Sequence, residues 1–160
     1  PINLFVAGFI GSPQMNFIDC VLEEKGNGLY LTFGDNSIKL PAEKANDPLL
    51  KDYIDKEVVM GIRPEDLYDS QRHLDAMPDS IIETDVEVTE LMGAEIYLYL
   101  AIEGVEAFNL DSNKGENIKN DIIAKVSSRS GARAGDMIKI AIDSSRIHLF
   151  DKETENTITN

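Results

Sequence analysis

Cysteine, histidine and basic side chains are all scarce in this 160-residue chain, and each scarcity removes a class of function. The one cysteine, Cys20, admits no internal disulfide, which suits a reducing compartment. It stands in an apolar-rich strand pattern with no base nearby to lower its pKa. It therefore reads as a small buried hydrophobe rather than a nucleophile. His73 and His148 lie 75 residues apart, one in a polar stretch and one in a strand pattern. Zinc sites cluster their ligands, so both histidines read as structural or surface residues. Fifteen Lys and Arg stand against 29 Asp and Glu, a net charge of −14 with no basic cluster. Such a surface repels phosphate backbones and anionic bilayers, so direct nucleic-acid binding is excluded and membrane association must go through a protein partner.

Long apolar runs are missing too. Leu4–Ile10 is the longest type of run present, far short of the roughly 20 residues that cross a bilayer. The basic start and apolar stretch of a secretory signal are not visible in these residues. No glycine is followed by lysine, so a P-loop cannot be built, and there is no G-x-S-x-G elbow. The acidic pairs Glu23-Glu24 and Glu65-Asp66 lack the Asp- and Gly-rich surroundings of a calcium loop. No catalytic, cofactor-binding or metal-binding residue is assigned to the chain.

What is present is a run of short strand patterns. A hydrophobic fraction of 42% suffices for a core without staples. Strands are predicted from Phe17 to Glu23, Leu29 to Phe33, Ser37 to Pro41, Glu57 to Ile62 and Thr84 to Leu91. Others follow at Ile96–Ile102, Lys139–Ile142 and Arg146–Phe150, with turn compositions at Gly26-Asn27-Gly28 and Gly34-Asp35-Asn36. Ile96–Ile102 alternates most cleanly, with Tyr97 and Tyr99 opposite Leu98 and Leu100. A short helix is expected over Lys51–Asp55, with Asp47-Pro48 before it as a cap. Asp69–Ser80 and Gly115–Asp121 read as polar excursions, and residues 152–160 are expected to fray. The fold class is all-β, a barrel or sandwich.

The pattern repeats. At an offset of 67, Val21–Gly26 and Leu29–Phe33 fall on Val88–Gly93 and Ile96–Leu100. At an offset of 80, Val58–Leu67 falls on Ile138–Ile147 with the same rhythm of strand, polar turn and apolar restart. Two related β units are expected, near 17–80 and 81–151; neither is large enough to be very stable alone, so they should pack together or exchange strands. The change of offset is taken up by a longer insertion in the second.

Three segments together resemble one family: Phe5–Phe17 (FVAGFIGSPQMNF), Gly61–Glu65 (GIRPE) and Ile147–Asp151 (IHLFD). They look like the C-terminal regulatory region, often called TOBE, of the ATP-binding subunits of bacterial sugar ABC importers of the MalK, UgpC and MsmX type. The multiple-sugar subtype is the nearest in appearance. The resemblance implies a tandem of OB-like barrel units, a homodimer, membrane permease subunits as partners and a possible regulatory protein or effector. It implies a cytoplasmic place at the inner face of the membrane. ATP and Mg would belong to a nucleotide-binding domain preceding this chain, which begins without Met. Phe5–Ile10 would then be the end of that domain's last helix, with residues 1–16 as its end and linker. Signature positions carried over are Gly11, Ser12, Pro13, Met15 and Asn16 in the linker, and Gly61, Arg63, Pro64 and Glu65 in the turn. The alternative is a small-ligand or oxyanion sensor of the same OB-like fold, for which Ser127, Ser128, Arg129 and Ser130 offer a candidate anion loop, although Ser127–Gly131 reads first as a polar turn.

Overall fold

A computed structural model describes residues 14–109, 111 and 121–159. Twelve strands are seen among these residues. The first five are β1 (Asn16–Lys25), β2 (Gly28–Phe33), β3 (Asn36–Lys39), β4 (Glu57–Ile62) and β5 (Leu67–Tyr68). Then come β6 (Ile81–Met92), β7 (Glu95–Ala101), β8 (Ala107–Asn109) and β9 (Ile122–Ser127). The last are β10 (Met137–Ile142), β11 (His148–Asp151) and β12 (Thr157–Thr159). Two short helices, α1 (Ala42–Ala45) and α2 (Gln71–Ala76), and several 3-10 turns fill the connections.

The strands form two sheets, ordered β12-β11-β4-β1-β2-β3, with β8 also on β1, and β5-β10-β6-β7-β9. Within them the predicted duplication is explicit. The series β4-β1-β2-β3 has the same order as β10-β6-β7-β9. The hairpin β1-β2 turns at Gly26-Asn27 between Lys25 and Gly28, and β6-β7 turns at Gly93-Ala94 between Met92 and Glu95. At the offset of 80, the 3-10 turn Pro64–Asp66 after β4 matches Ser144–Arg146 after β10. The strands that follow these turns then change places. β5 leaves the first unit to pair with β10, and β11 leaves the second to pair with β4. In the second sheet β9 curls round to touch β5, which makes a nearly closed five-stranded OB-type barrel.

One core runs through both units. Ile18, Cys20, Leu22, Leu31 and Met60 join Ile82, Leu98, Leu100, Ile140 and Ile142 in a single buried cluster. On β1 the alternation is strict: Asn16, Ile18, Cys20 and Leu22 share one face, and Phe17 points to the other. Cys20 is buried with its Sγ donating to the Ile18 carbonyl at 3.3 Å; burial, and then the Asp19 carboxylate, hold the thiol far above its ordinary pKa.

Several expectations change in the fold. The segment expected as a helix over Lys51–Asp55 is instead a 3-10 turn over Pro48–Tyr53, and Asp47 accepts from the Leu49 N–H at 2.9 Å. A short i→i+3 turn suits a connection that buries only Leu50 while Leu49 stays exposed. Asp69–Ser80 holds α2, capped by Ser70, and a 3-10 turn at Pro78–Ser80. Residues 157–159, expected to fray, form β12 because Ile158 enters the core beside β11. Tyr99 is also buried, so both faces of β7 are covered there. Its hydroxyl donates to Glu90 Oε1 at 3.1 Å. The proposed helix end at Phe5–Ile10 lies outside the described residues.

Candidate functional site

Of the signature residues, Met15, Asn16 and Gly61 lie together at the start of β1. Gly11, Ser12 and Pro13 lie outside the described residues; Met15 and Asn16 are fully buried. Met15 packs with Phe17, Val59 and Phe150 in a second cluster on the outer face of the first sheet. Phe17 meets Phe150 edge-on at 6.0 Å and Phe108 at 5.1 Å between ring centroids. Burying a side chain of this size contributes about 2–3 kcal/mol. Gly61 stands opposite Phe17 on one side and His148 on the other. A β-carbon at Gly61 would fall 2.6 Å from Met15 Sδ and 3.0 Å from Phe150 Cε2, so any side chain here must displace one of those neighbours. The three sequence segments that carry the resemblance thus meet in one place: Met15 from the first, Gly61 from the second and Phe150 from the third.

Asn16 turns the other way, toward the second unit. Its Nδ2 donates to the Ile123 carbonyl at 2.9 Å, and its Oδ1 accepts from the Ile123 N–H at 2.8 Å. A side-chain amide thus pairs with a backbone residue as a neighbouring strand would. Asn109 Nδ2 also donates to Asn16 Oδ1, at 2.8 Å, and to the Gln14 carbonyl at 2.6 Å. Asn109 and Ile123 carried no signal in the sequence. Asn109 is one polar residue in a weak pattern, and its role exists only because β8 pairs with β1.

Downstream of Gly61, Arg63 is extended (φ −78°, ψ 149°), as the residue before a proline should be, and its carbonyl accepts from the Asp66 N–H at 3.0 Å. Pro64 is buried at the first position of the turn and Glu65 is exposed. The two homologous turns touch: the Asp143 N–H donates to the Asp66 carbonyl at 3.0 Å. Arg146 Nε lies 3.4 Å from Asp143 Oδ2 and 3.9 Å from Asp66 Oδ1. Burial raises the Asp66 pKa, with Glu65 adding to the rise and Arg146 opposing it. This is a structural joint between the units.

The serine-rich loop is built differently from an anion cradle. The Ser128 N–H donates to the Ala94 carbonyl at 3.2 Å, the Arg129 N–H to Ser127 Oγ at 3.1 Å and the Ser130 N–H to the Ser127 carbonyl at 2.9 Å. Ser130 Oγ donates to Asp69 Oδ2 and accepts from the Ala132 N–H. Donors already engaged, with a carboxylate beside them, offer little to an oxyanion. His73 sits at the start of α2 with its Nδ1 2.6 Å from Ser70 Oγ, its ring stacked on Tyr68 at 3.9 Å. Among the described residues no group of three His, Cys, Asp or Glu is placed to hold a metal ion. No helix there is long and apolar enough to cross a membrane.

Comparison with known proteins agrees with this arrangement. Residues 11–67 match the family model of the MalK OB fold domain. The chain is 36% identical to the oligosaccharides import ATP-binding protein MsmX of Bacillus subtilis, over 97% of its own length and 37% of that protein's. It is 34% identical to the trehalose/maltose import ATP-binding protein MalK of Thermococcus litoralis, over 99% and 38%. The multiple sugar-binding transport ATP-binding protein MsmK of Streptococcus mutans is 31% identical over 99% and 37%. The chain therefore spans less than two-fifths of the length of these relatives. The structure of the cytoplasmic molybdate-binding protein ModG with molybdate bound aligns over 88% of this chain and 97% of its own, with a TM-score of 0.54 and 17% identity, a likeness of fold alone. By sequence, the chain is similar to sugar-import ATP-binding proteins of the MalK and MsmX type, and its residues 11–67 to the MalK OB fold domain.

Proposed function

We propose that this chain is the non-catalytic regulatory and dimerisation region of the ATP-hydrolysing subunit of a carbohydrate ABC importer. The observation that carries this reading is a coincidence of extent and place. Similarity to three sugar-import ATP-binding proteins runs through nearly the whole chain, and the segments behind the resemblance close on one another around Met15 and Gly61. ATP and Mg would be held by the remainder of the longer protein, and permease subunits would be engaged by that remainder. This region would supply the contact with a second copy and a surface for a regulatory protein or effector. An acidic barrel of net charge −14 suits a place at the cytoplasmic side of the membrane, held there through protein partners rather than lipid.

The test is made on the longer protein, with and without residues 14–160. Loss of the region is expected to shift sedimentation from dimer toward monomer in the absence of nucleotide. It should leave ATP hydrolysis by the remainder measurable while uncoupling it from sugar uptake. A truncated protein that dimerises and transports like the whole one would overturn the reading.

A further inference from the structure

β9 is the last strand of its sheet, and its outward backbone groups would be open to stray pairing were nothing set against them. At Ile123 both outward groups are taken by the Asn16 side chain, at 2.9 and 2.8 Å. The same amide oxygen accepts from Asn109, whose nitrogen also holds the Gln14 carbonyl at 2.6 Å. Gln14 is gripped at its other end as well, where its N–H donates to Asp111 Oδ2 at 2.9 Å. The Asp111 N–H in turn donates to Asn109 Oδ1 at 2.8 Å. The chain thus enters the first sheet through a residue whose two peptide groups are both held by side chains at the end of β8, the strand that the later part of the chain adds to β1. Asn16 and Asn109 are fully buried, so water does not compete for these bonds.

We propose that Asp111, Asn109 and Asn16 form a latch that makes the leading segment Gln14–Asn16 and the edge strand β9 move as one body. Displacement of the chain before Gln14 then reaches β9 through Asn16, the first residue of β1, without passing along the rest of that strand. Asn is suited to the central position because one planar amide supplies both a donor and an acceptor, as a peptide group does. What the latch would transmit, movement of a preceding nucleotide-binding domain, rests on the function proposed above; the latch itself concerns this chain alone.

The test is amide hydrogen exchange, read by NMR on the full 160-residue chain. Asp111→Ala removes the acceptor for the Gln14 N–H, and Asp111 reaches Ile123 through Asn109 and Asn16, so a local role would leave Ile123 unmoved. With a latch, the Ile123 N–H exchanges about tenfold faster while Leu31 in β2 keeps its rate. Asp111→Asn, which retains an acceptor oxygen, holds Ile123 within about twofold of the wild type. Should Asp111→Ala fail to fold, Gln14→Pro removes the donor of the same bond and is expected to give the same acceleration. Unchanged exchange at Ile123 in a folded Asp111→Ala or Gln14→Pro chain overturns the latch. Failure of the ATPase experiment above would leave it standing.

Discussion

A β-carbon on Gly61 would lie 2.6 Å from the Met15 sulfur, which makes the end of β4 and the start of β1 a single packing unit. Substitution of Gly61 by Ala must displace Met15 or Phe150. Overpacking of this kind costs typically about 1–3 kcal/mol, and the flexible Met side chain should keep Ala near the lower end. Gly61→Val should cost more. Pairing Gly61→Ala with Met15→Ala should recover part of the loss, because the second change opens the space the first one needs. Urea unfolding of the four proteins measures this; strictly additive losses would show that the two residues do not share a space.

Asn16 gives a second prediction, at the opposite face of the same strand. Asn16→Asp keeps the shape and the acceptor but replaces the donor to the Ile123 carbonyl with a carboxylate oxygen. A buried carbonyl left without its donor, together with a buried charge, is expected to cost about 2–4 kcal/mol at pH 7. The loss should shrink as the pH falls, since a protonated Asp can donate again. Chemical denaturation at pH 7 and pH 4.5 reads both effects, and a pH-independent loss would contradict this account.

These two residues also mark how far the sequence could be read. Met15, Asn16 and Gly61 were visible in it because each stands in a short motif. The hairpins and both repeat offsets were visible because alternation and glycine turns are local signals. That units so small should pack together or exchange strands followed from their size, but that β5 and β11 are the strands exchanged did not, since pairing between strands far apart in the chain leaves no mark on either strand alone. Thr157–Thr159 looked like a frayed end for the same reason: its one apolar residue, Ile158, matters only because β11 is beside it. Ser127–Ser130 had the composition of an anion loop, and only the positions of Ala94 and Asp69 show where its outward donors go.

That loop yields a third prediction. With its N–H groups engaged and Asp69 against Ser130, molybdate or tungstate added to the chain should give no saturable heat in calorimetry, despite the fold shared with ModG. Ser130→Ala should leave that result unchanged and cost stability modestly, by about 1 kcal/mol, through loss of its bonds to Asp69 and Ala132. Saturable binding abolished by Ser130→Ala would restore the sensor reading.

A pH dependence follows from Asp121, which precedes β9 and is 3% exposed. Burial, and secondarily the Glu87 carboxylate, push its pKa from an ordinary 3.8 up to about 6. Between those values the folded protein holds a proton that the unfolded chain has released, so stability falls as the pH rises from 4 to 6. Above pH 6 the full penalty of the buried charge is present, on the order of 2–3 kcal/mol at one pKa unit per 1.4 kcal/mol. Asp121→Asn replaces the carboxylate with a group that has no charge to bury. It is expected to raise the urea midpoint at pH 7 and to leave it nearly unchanged at pH 4. The difference between variant and wild type should grow mostly across pH 4 to 6, where the unfolded carboxylate is ionised and the folded one still holds its proton, and level off above that range. A gain of the same size at both ends of the range would mean that the substituted amide improves packing rather than relieving a charge.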